Sequence, residues 1–353
     1  MSIKDFVVPA LKDYECYKAA GQDYNIILNA NEHYENFLGT KLQGEFIEKM
    51  KSININRYPD PDAKKIRKSF SLLVGVDVNK IMATSGSDEG ITIINNTFMD
   101  KDDVAISFEP TFSMYAQAAI LAKGKYIGLK SDKEDLSPDI DILISEANKH
   151  DAKIIYICTP NNPTGYLYKK EDIKRVIEGT KSLVVIDEAY IHFAEGDNLD
   201  LLDYSNRVII LRTLSKAFSG AGLRVGFILA DEEVINYLNA AKAPYNLSAT
   251  SQMAGEVLIE NHKYIEDEIN IIKKQRERIV SVLRKYDDIF IFPLNANFIT
   301  IRTKKADKLY KACENKSISI RSYGSSIPNT VRISVGSEYE NTKLIEVIEE
   351  VFK

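Results

Sequence analysis

Between residues 80 and 230 the chain alternates short apolar runs with longer amphipathic or polar stretches. The runs are KIMAT (80–84), DVAISF (103–108), KYIGL (125–129), KIIYICT (153–159), SLVVIDE (182–188), RVIILRT (207–213) and RVGFILA (224–230). Each has the length and the β-branched content of a strand. Several are nearly continuous in apolar character, as strands covered on both faces are. Stretches such as KKEDIKRVIEGT (169–180) carry the helical period between them. The alternation predicts an α/β fold with a mostly parallel sheet wrapped by helices. Beyond residue 245 the pattern changes. A long charge-laced helix over 261–286 leads into IFIFPLNANFITIR (289–302), SISIRSYG (317–324), TVRISVG (330–336) and a closing helix, TKLIEVIEEVF (342–352). These predict a smaller α+β domain over 246–353, a large domain over 36–245, and an N-terminal arm over 1–35 that joins the smaller domain. No low-complexity linker and no repeat separates them, so the parts should pack closely.

Composition narrows the partners. Net charge is −5 over 353 residues, and Lys and Arg are scattered rather than clustered, which argues against nucleic acid. No apolar run approaches a membrane span, and MSIKDFVVPALKDYECY places charges where a secretory signal needs its apolar stretch. Cys16, Cys158 and Cys313 lie far apart without a CxxC pair, and the four histidines lack zinc spacing. Reduced thiols in a cytoplasmic protein without a metal are the expectation.

Polar residues of chemical interest sit where predicted strands end, the edge at which open α/β sheets bind ligands. ATSGSDEGI (83–91) stops a strand and opens a helix through Gly86, with Asp88 and Glu89 in its first turn. The free amides of such a terminus can hold a phosphate, though a plain capped helix uses the same letters. CTPNNPTG (158–165) sets Asn161 and Asn162 between two prolines, in extended chain that can aim an amide at a ligand oxygen. LVVIDEAY (183–190) closes a buried strand with Asp187 and continues to Tyr190; a carboxylate there must find a cation or strong donors. LRTLSKAFSGAGLRVG (211–226) puts Lys216 after an apolar strand and follows it with three glycines and Arg224. Together these ends supply an anion nest, an amide, a carboxylate, a phenol, a lysine and an arginine. Pyridoxal phosphate needs that whole set: its aldehyde condenses with a lysine, and its ring nitrogen wants a carboxylate. A dinucleotide loop is the competing reading of SGAGLRVG, but Val225 stands where its third glycine belongs, and the segment leads into a strand rather than a helix. His192, just past the strand end, reads as a packing histidine because Lys216 already supplies a base.

TPNNPTG, DEAY and SKAF…AGLRVG resemble the signatures of fold-type I pyridoxal-phosphate aminotransferases, and the histidinol-phosphate aminotransferase branch in particular. LNANE (28–32), NRYPDP (56–61), GSDEGI, EPTFSMY and TVRISVG extend the resemblance over nearly the whole chain. It implies a homodimer acting on small amine and 2-oxo acid substrates, with Lys216 binding the cofactor and then shuttling a proton. Asp187 would pair with the ring nitrogen, Asn162 and Tyr190 would bond the ring's phenolic oxygen, and Phe112 would cover the ring. Ser87 and Asp88 (through backbone amides), Ser215 and Arg224 would hold the phosphate, with Tyr58 reaching it from the partner subunit. Arg332, with Arg321 nearby, would bind the substrate's anionic group, and Tyr14 would assist. This sequence departs from the family in three places. Phe112 stands where relatives often have tyrosine, the proline common after NEN is missing from NANEHY, and LKDYECYKAA matches only loosely around Tyr14. Two other reactions on the same cofactor stay open: decarboxylation of a threonine phosphate, and amino transfer from an aromatic or other amino acid.

Overall fold

The computed structural model describes residues 2–8, 11–12, 23–324 and 326–353. Strand β1 (Ile26–Ile27) lies in the N-terminal arm. All seven apolar runs form strands of one sheet: β2 (Ile81–Thr84), β3 (Val104–Glu109), β4 (Lys125–Lys130), β5 (Ile154–Cys158), β6 (Leu183–Asp187), β7 (Val208–Thr213) and β8 (Gly226–Ala230). Their order is β2-β8-β7-β6-β5-β3-β4, and only β8 runs against the rest. The expectation of a mostly parallel sheet is met. Residues alternate between two cores along each central strand. Ile155, Ile157, Val184, Ile186 and Ile210 face one core, while Ile154, Tyr156, Val185, Ile209 and Leu211 face the other. Burial on both faces is why these strands read as continuous apolar runs.

A four-stranded antiparallel sheet forms beyond residue 289, from β9 (Phe290–Ile291), β10 (Phe298–Arg302), β12 (Arg321–Ser322) and β13 (Thr330–Ser334), in the order β12-β13-β10-β9. The run SISIRSYG serves two sheets. Its first part, β11 (Ile318–Ser319), pairs in parallel with β1, and β12 pairs with β13. The long helix spans His262–Leu283. The closing helix, Glu338–Phe352, begins earlier than its apolar period suggests because Ser337 and Glu340 form a reciprocal cap.

What positions a site is the shared edge of the large sheet. The carboxyl ends of β2, β3, β5, β6 and β7 open there, and β8 starts there because it runs the other way. The connection from β7 to β8, residues 214–225, therefore begins and ends on the same edge as Asp187 and the helix Gly86–Phe98.

Candidate active site

The helix Gly86–Phe98 starts directly at the end of β2, so its first amides face the sheet edge without intrahelical partners. Two glycines let the chains meet there. A Cβ on Gly86, whose φ is +75°, would lie 2.5 Å from Arg224 Nη2; one on Gly226 would lie 2.7 Å from the Ser87 amide nitrogen. Arg224 donates to Asp88 Oδ2 at 3.0 Å and to Ser215 Oγ at 3.3 Å. Ser87, Asp88, Ser215 and Arg224 thus form one cluster of donors around a helix N-terminus. Glu89 is occupied differently: its carboxylate accepts from the Ser85 amide and from Asn246 Nδ2. Of the three glycines after Lys216, Gly226 is required by backbone contact, whereas a Cβ on Gly222 would meet open space.

Asp187 ends β6, 3% exposed. Its Oδ2 accepts from the Tyr115 hydroxyl at 2.7 Å and its Oδ1 from the Ala189 amide at 3.1 Å. Burial pushes its carboxyl up to about 6, the charges of Asp88 and Glu188 add to that, and the two donors oppose it. Tyr115 is fully buried, stacked on Tyr156 at 4.4 Å between centroids and set edge-on to Phe112 at 5.8 Å. Sequence reading missed Tyr115. The signal lay in EPTFSMY, where two aromatics three apart fall on one face of a helical turn.

The segment LNANE joins the remaining groups, which sequence reading did not assign residue by residue. The Asn29 carbonyl accepts from Arg332 Nη2 at 2.6 Å, the Ala30 carbonyl from Lys216 Nζ at 2.9 Å, and Asn31 Nδ2 donates to the Tyr190 hydroxyl at 3.0 Å. Lys216 is half-buried, with its ammonium 5.8 Å over the Tyr190 ring. Burial and then the Arg332 charge lower its amine to about 8, against the opposing charges of Glu32 and Asp88. Asn161 is spent on structure, bonding Thr111, Pro110 and Thr164. Asn162 instead gives its Oδ1 to Arg332 Nη1, which leaves the amide Nδ2 for a ligand. Arg332 is 7% exposed, lies 5.4 Å over the Phe298 ring, and has a buried Nε without a partner among the described residues. Arg321 is its cross-strand neighbour in the β12–β13 register.

Tyr58 is not part of this cluster. It is 82% exposed and stacks on Tyr245 at 4.5 Å. Tyr14 lies outside the described residues. His192 packs edge-on against Phe218, and burial lowers its imidazole to about 3, in keeping with a packing role. No group of three or more His, Cys, Asp or Glu able to hold a metal occurs among the described residues. Among them, too, no helix is long and apolar enough to cross a membrane.

The donor set fits pyridoxal phosphate. Among the described residues the buried Asp187 carboxylate is met by a neutral hydroxyl and a neutral amide, so a cationic ring nitrogen would answer its charge. The glycine-tight helix terminus with Ser215 and Arg224 suits a phosphate dianion, and Lys216 has the depressed amine that condensation with an aldehyde requires.

Comparison with known proteins gives the same direction. The histidinol-phosphate aminotransferase of Clostridium kluyveri is 36% identical over 97% of this chain and 97% of its own. Two solved structures share the fold. The histidinol-phosphate aminotransferase of Clostridium acetobutylicum has TM-score 0.82 and 24% identity, covering 92% of this chain and 98% of that one. That of Sinorhizobium meliloti, in complex with pyridoxal-5'-phosphate, has TM-score 0.87 and 18% identity, covering 98% and 97%. The family model described as aminotransferase class I and II matches residues 26–348, and the chain belongs to that family.

Proposed function

We propose that the protein transfers the amino group of L-histidinol phosphate to 2-oxoglutarate with pyridoxal 5'-phosphate as cofactor, in histidine biosynthesis in the cytoplasm. The observation that carries the substrate class is the pair Arg321 and Arg332. Cross-strand partners share a sheet face, and like charges placed opposite each other are unfavourable unless an anion lies between or beside them. Arg332 is also held rigidly, by Asn29, Asn162 and Phe298. A planar guanidinium so fixed can receive the phosphate of histidinol phosphate in one half-reaction and a carboxylate of glutamate in the other. The 36%-identical relative's name supports this choice of amine.

Ser87 and Asp88 amides, Ser215 and Arg224 would hold the cofactor phosphate. Phe112 would cover one ring face, Asn162 and Tyr190 would bond the phenolic oxygen, and Asp187 would counter the ring nitrogen's charge. Bound pyridoxal phosphate supplies an electron sink for charge developing at the substrate's α-carbon. Lys216 is the base. With its amine near 8, a substantial fraction is neutral in mildly alkaline solution and can take the α-proton. The Ala30 carbonyl anchors Nζ while it waits. Arg332 orients the substrate so that the α-carbon–hydrogen bond, rather than a carbon–carbon bond, faces Lys216.

The large unit over 36–245 would carry the cofactor and the unit over 246–353 the substrate anion. The pairing of β1 with β11 supports assigning the arm to the latter. A homodimer with Tyr58 reaching the partner's site accounts for Ile55 and Tyr58, both four-fifths exposed. Glutamate production from L-histidinol phosphate and 2-oxoglutarate tests the reaction. Carbon dioxide from threonine phosphate without any 2-oxoglutarate requirement would overturn it and favour the lyase.

A further inference from the structure

Asp187 has to remain an anion in a place that favours the neutral acid, and the groups around it can be named. Asp88 faces it from the helix Gly86–Phe98 and Glu188 from the next position of the chain, both with the wrong sign. Cys158 is its register partner on β5, and burial holds that thiol protonated by raising it to about 12. Among the described residues two donors meet the carboxylate, the Ala189 amide and the Tyr115 hydroxyl. The amide is part of the chain and fixed by the turn after β6. The hydroxyl comes from the helix Met114–Leu121, on a ring that cannot swing away because it is fully buried and stacked on Tyr156.

We infer that Tyr115 is a positioning residue whose single proton keeps Asp187 ionised and aimed into the site, so that pairing with a cationic ring nitrogen depends on a phenol outside that pair. A donor to a carboxylate stabilises the charged form over the acid. Tyr115 is a dependable one. Burial and the Asp187 charge raise its own ionisation far above the ordinary range, so it stays a donor wherever the protein is folded. With that donor present the carboxyl sits at about 6 and is mostly ionised at neutral pH. Without it, burial and the two neighbouring carboxylates would carry it into the neutral range. The same turn thus has two tasks, since Phe112 lies three residues before Tyr115.

The inference rests on the proposed role of Asp187, and the test separates the two. Tyr115→Phe removes the hydroxyl and keeps the stacked ring. Tyr156→Phe is the matched control, because its hydroxyl bonds Asn95 and not Asp187. In the cofactor-free protein labelled with carbon-13 at aspartate carboxyls, Tyr115→Phe should raise the Asp187 titration by about one pH unit. With pyridoxal phosphate labelled with nitrogen-15 at the ring, the same variant should lower the pH at which the nitrogen loses its proton and speed cofactor loss roughly tenfold. Tyr156→Phe should leave all three readouts unchanged, and adding Tyr115→Phe to Asp187→Ala should change nothing further. An unshifted Asp187 titration in Tyr115→Phe, even with lowered stability, would overturn the inference and leave only a packing role. If Asp187→Ala left the ring nitrogen's protonation unchanged, the reading of Asp187 would fall instead, while the carbon-13 titration still decided what Tyr115 does.

Discussion

Burial acts on Lys216 and Asp187 in the same sense, pushing each toward its neutral form, and the pH dependence of the cofactor-free protein should show both. Lys216 is lowered from 10.5 to about 8. Its contribution is therefore fully present above 10.5 and is lost as pH falls through 8, where the folded protein must take up a proton in a half-buried place beside the Arg332 charge. Lys216→Met should stabilise the cofactor-free protein at pH 7, and the gain should vanish as pH approaches 10.5. Thermal unfolding of both proteins across that range measures it. Asp187 is raised from 3.8 to about 6, so its sign is opposite: folding is favoured below 3.8 and the cost grows as pH rises through 6. Asp187→Asn should then stabilise the cofactor-free protein at pH 7 by up to roughly 3 kcal/mol, the equivalent of that shift. It should at the same time weaken cofactor retention sharply. A variant that is both more stable empty and worse at holding the cofactor would identify Asp187 as a site residue rather than a core residue.

Elements meet at the sheet edge through backbone contact, and that contact can be tested glycine by glycine. Gly226→Ala would set its Cβ 2.6 Å from the Gly86 carbonyl carbon and 2.7 Å from the Ser87 nitrogen, where only main chain can give way. The helix Gly86–Phe98 would be pushed off β8, at about 1–3 kcal/mol of stability and with a weakened phosphate site. Gly222→Ala in the same loop should change stability by less than about 0.5 kcal/mol, because its Cβ meets open space. Denaturant unfolding and cofactor titration of the two variants give the comparison. The sequence announces these elements unevenly, for physical reasons. The seven strands were legible because both faces are buried and each strand reads as an apolar run. Lys216, Asp187, Asn162 and Arg224 were legible because a polar residue at the end of such a run needs a reason. Asn29, Ala30 and Asn31 were not, since two of the three act through backbone carbonyls that any side chain would leave in place. The third, Asn31, relies on a left-handed φ of 55°. Tyr115 escaped notice because a buried helical aromatic is ordinarily core, and only its hydroxyl's partner marks it out.

At the scale of the whole molecule, Tyr58 separates a site complete within one chain from a site shared by two. Its ring stacks on Tyr245 and stands 82% exposed, and Ile55, three residues earlier in the chain, is as exposed. In a homodimer with shared sites, that surface covers the partner and the Tyr58 hydroxyl reaches the partner's phosphate cluster of Ser215 and Arg224. Tyr58→Phe should then weaken cofactor retention through loss of one charge-assisted hydrogen bond, about 1.5–3 kcal/mol, with little change in the stability of the empty protein. Lys216→Ala should retain the cofactor through its phosphate and ring contacts, yet lose nearly all turnover. Mixing the two variants gives the decisive arrangement. A mixed dimer with shared sites has one site lacking both Lys216 and Tyr58 and one lacking neither, so limiting cofactor should reveal activity above that of the unmixed parents. With each Tyr58 serving its own chain, every site in the mixed dimer carries one defect, and activity after complete subunit exchange would equal the parents' average. Exchange is verified by differential tagging before turnover is measured, so equality at that point would assign Tyr58 to the surface stack with Tyr245 and nothing more.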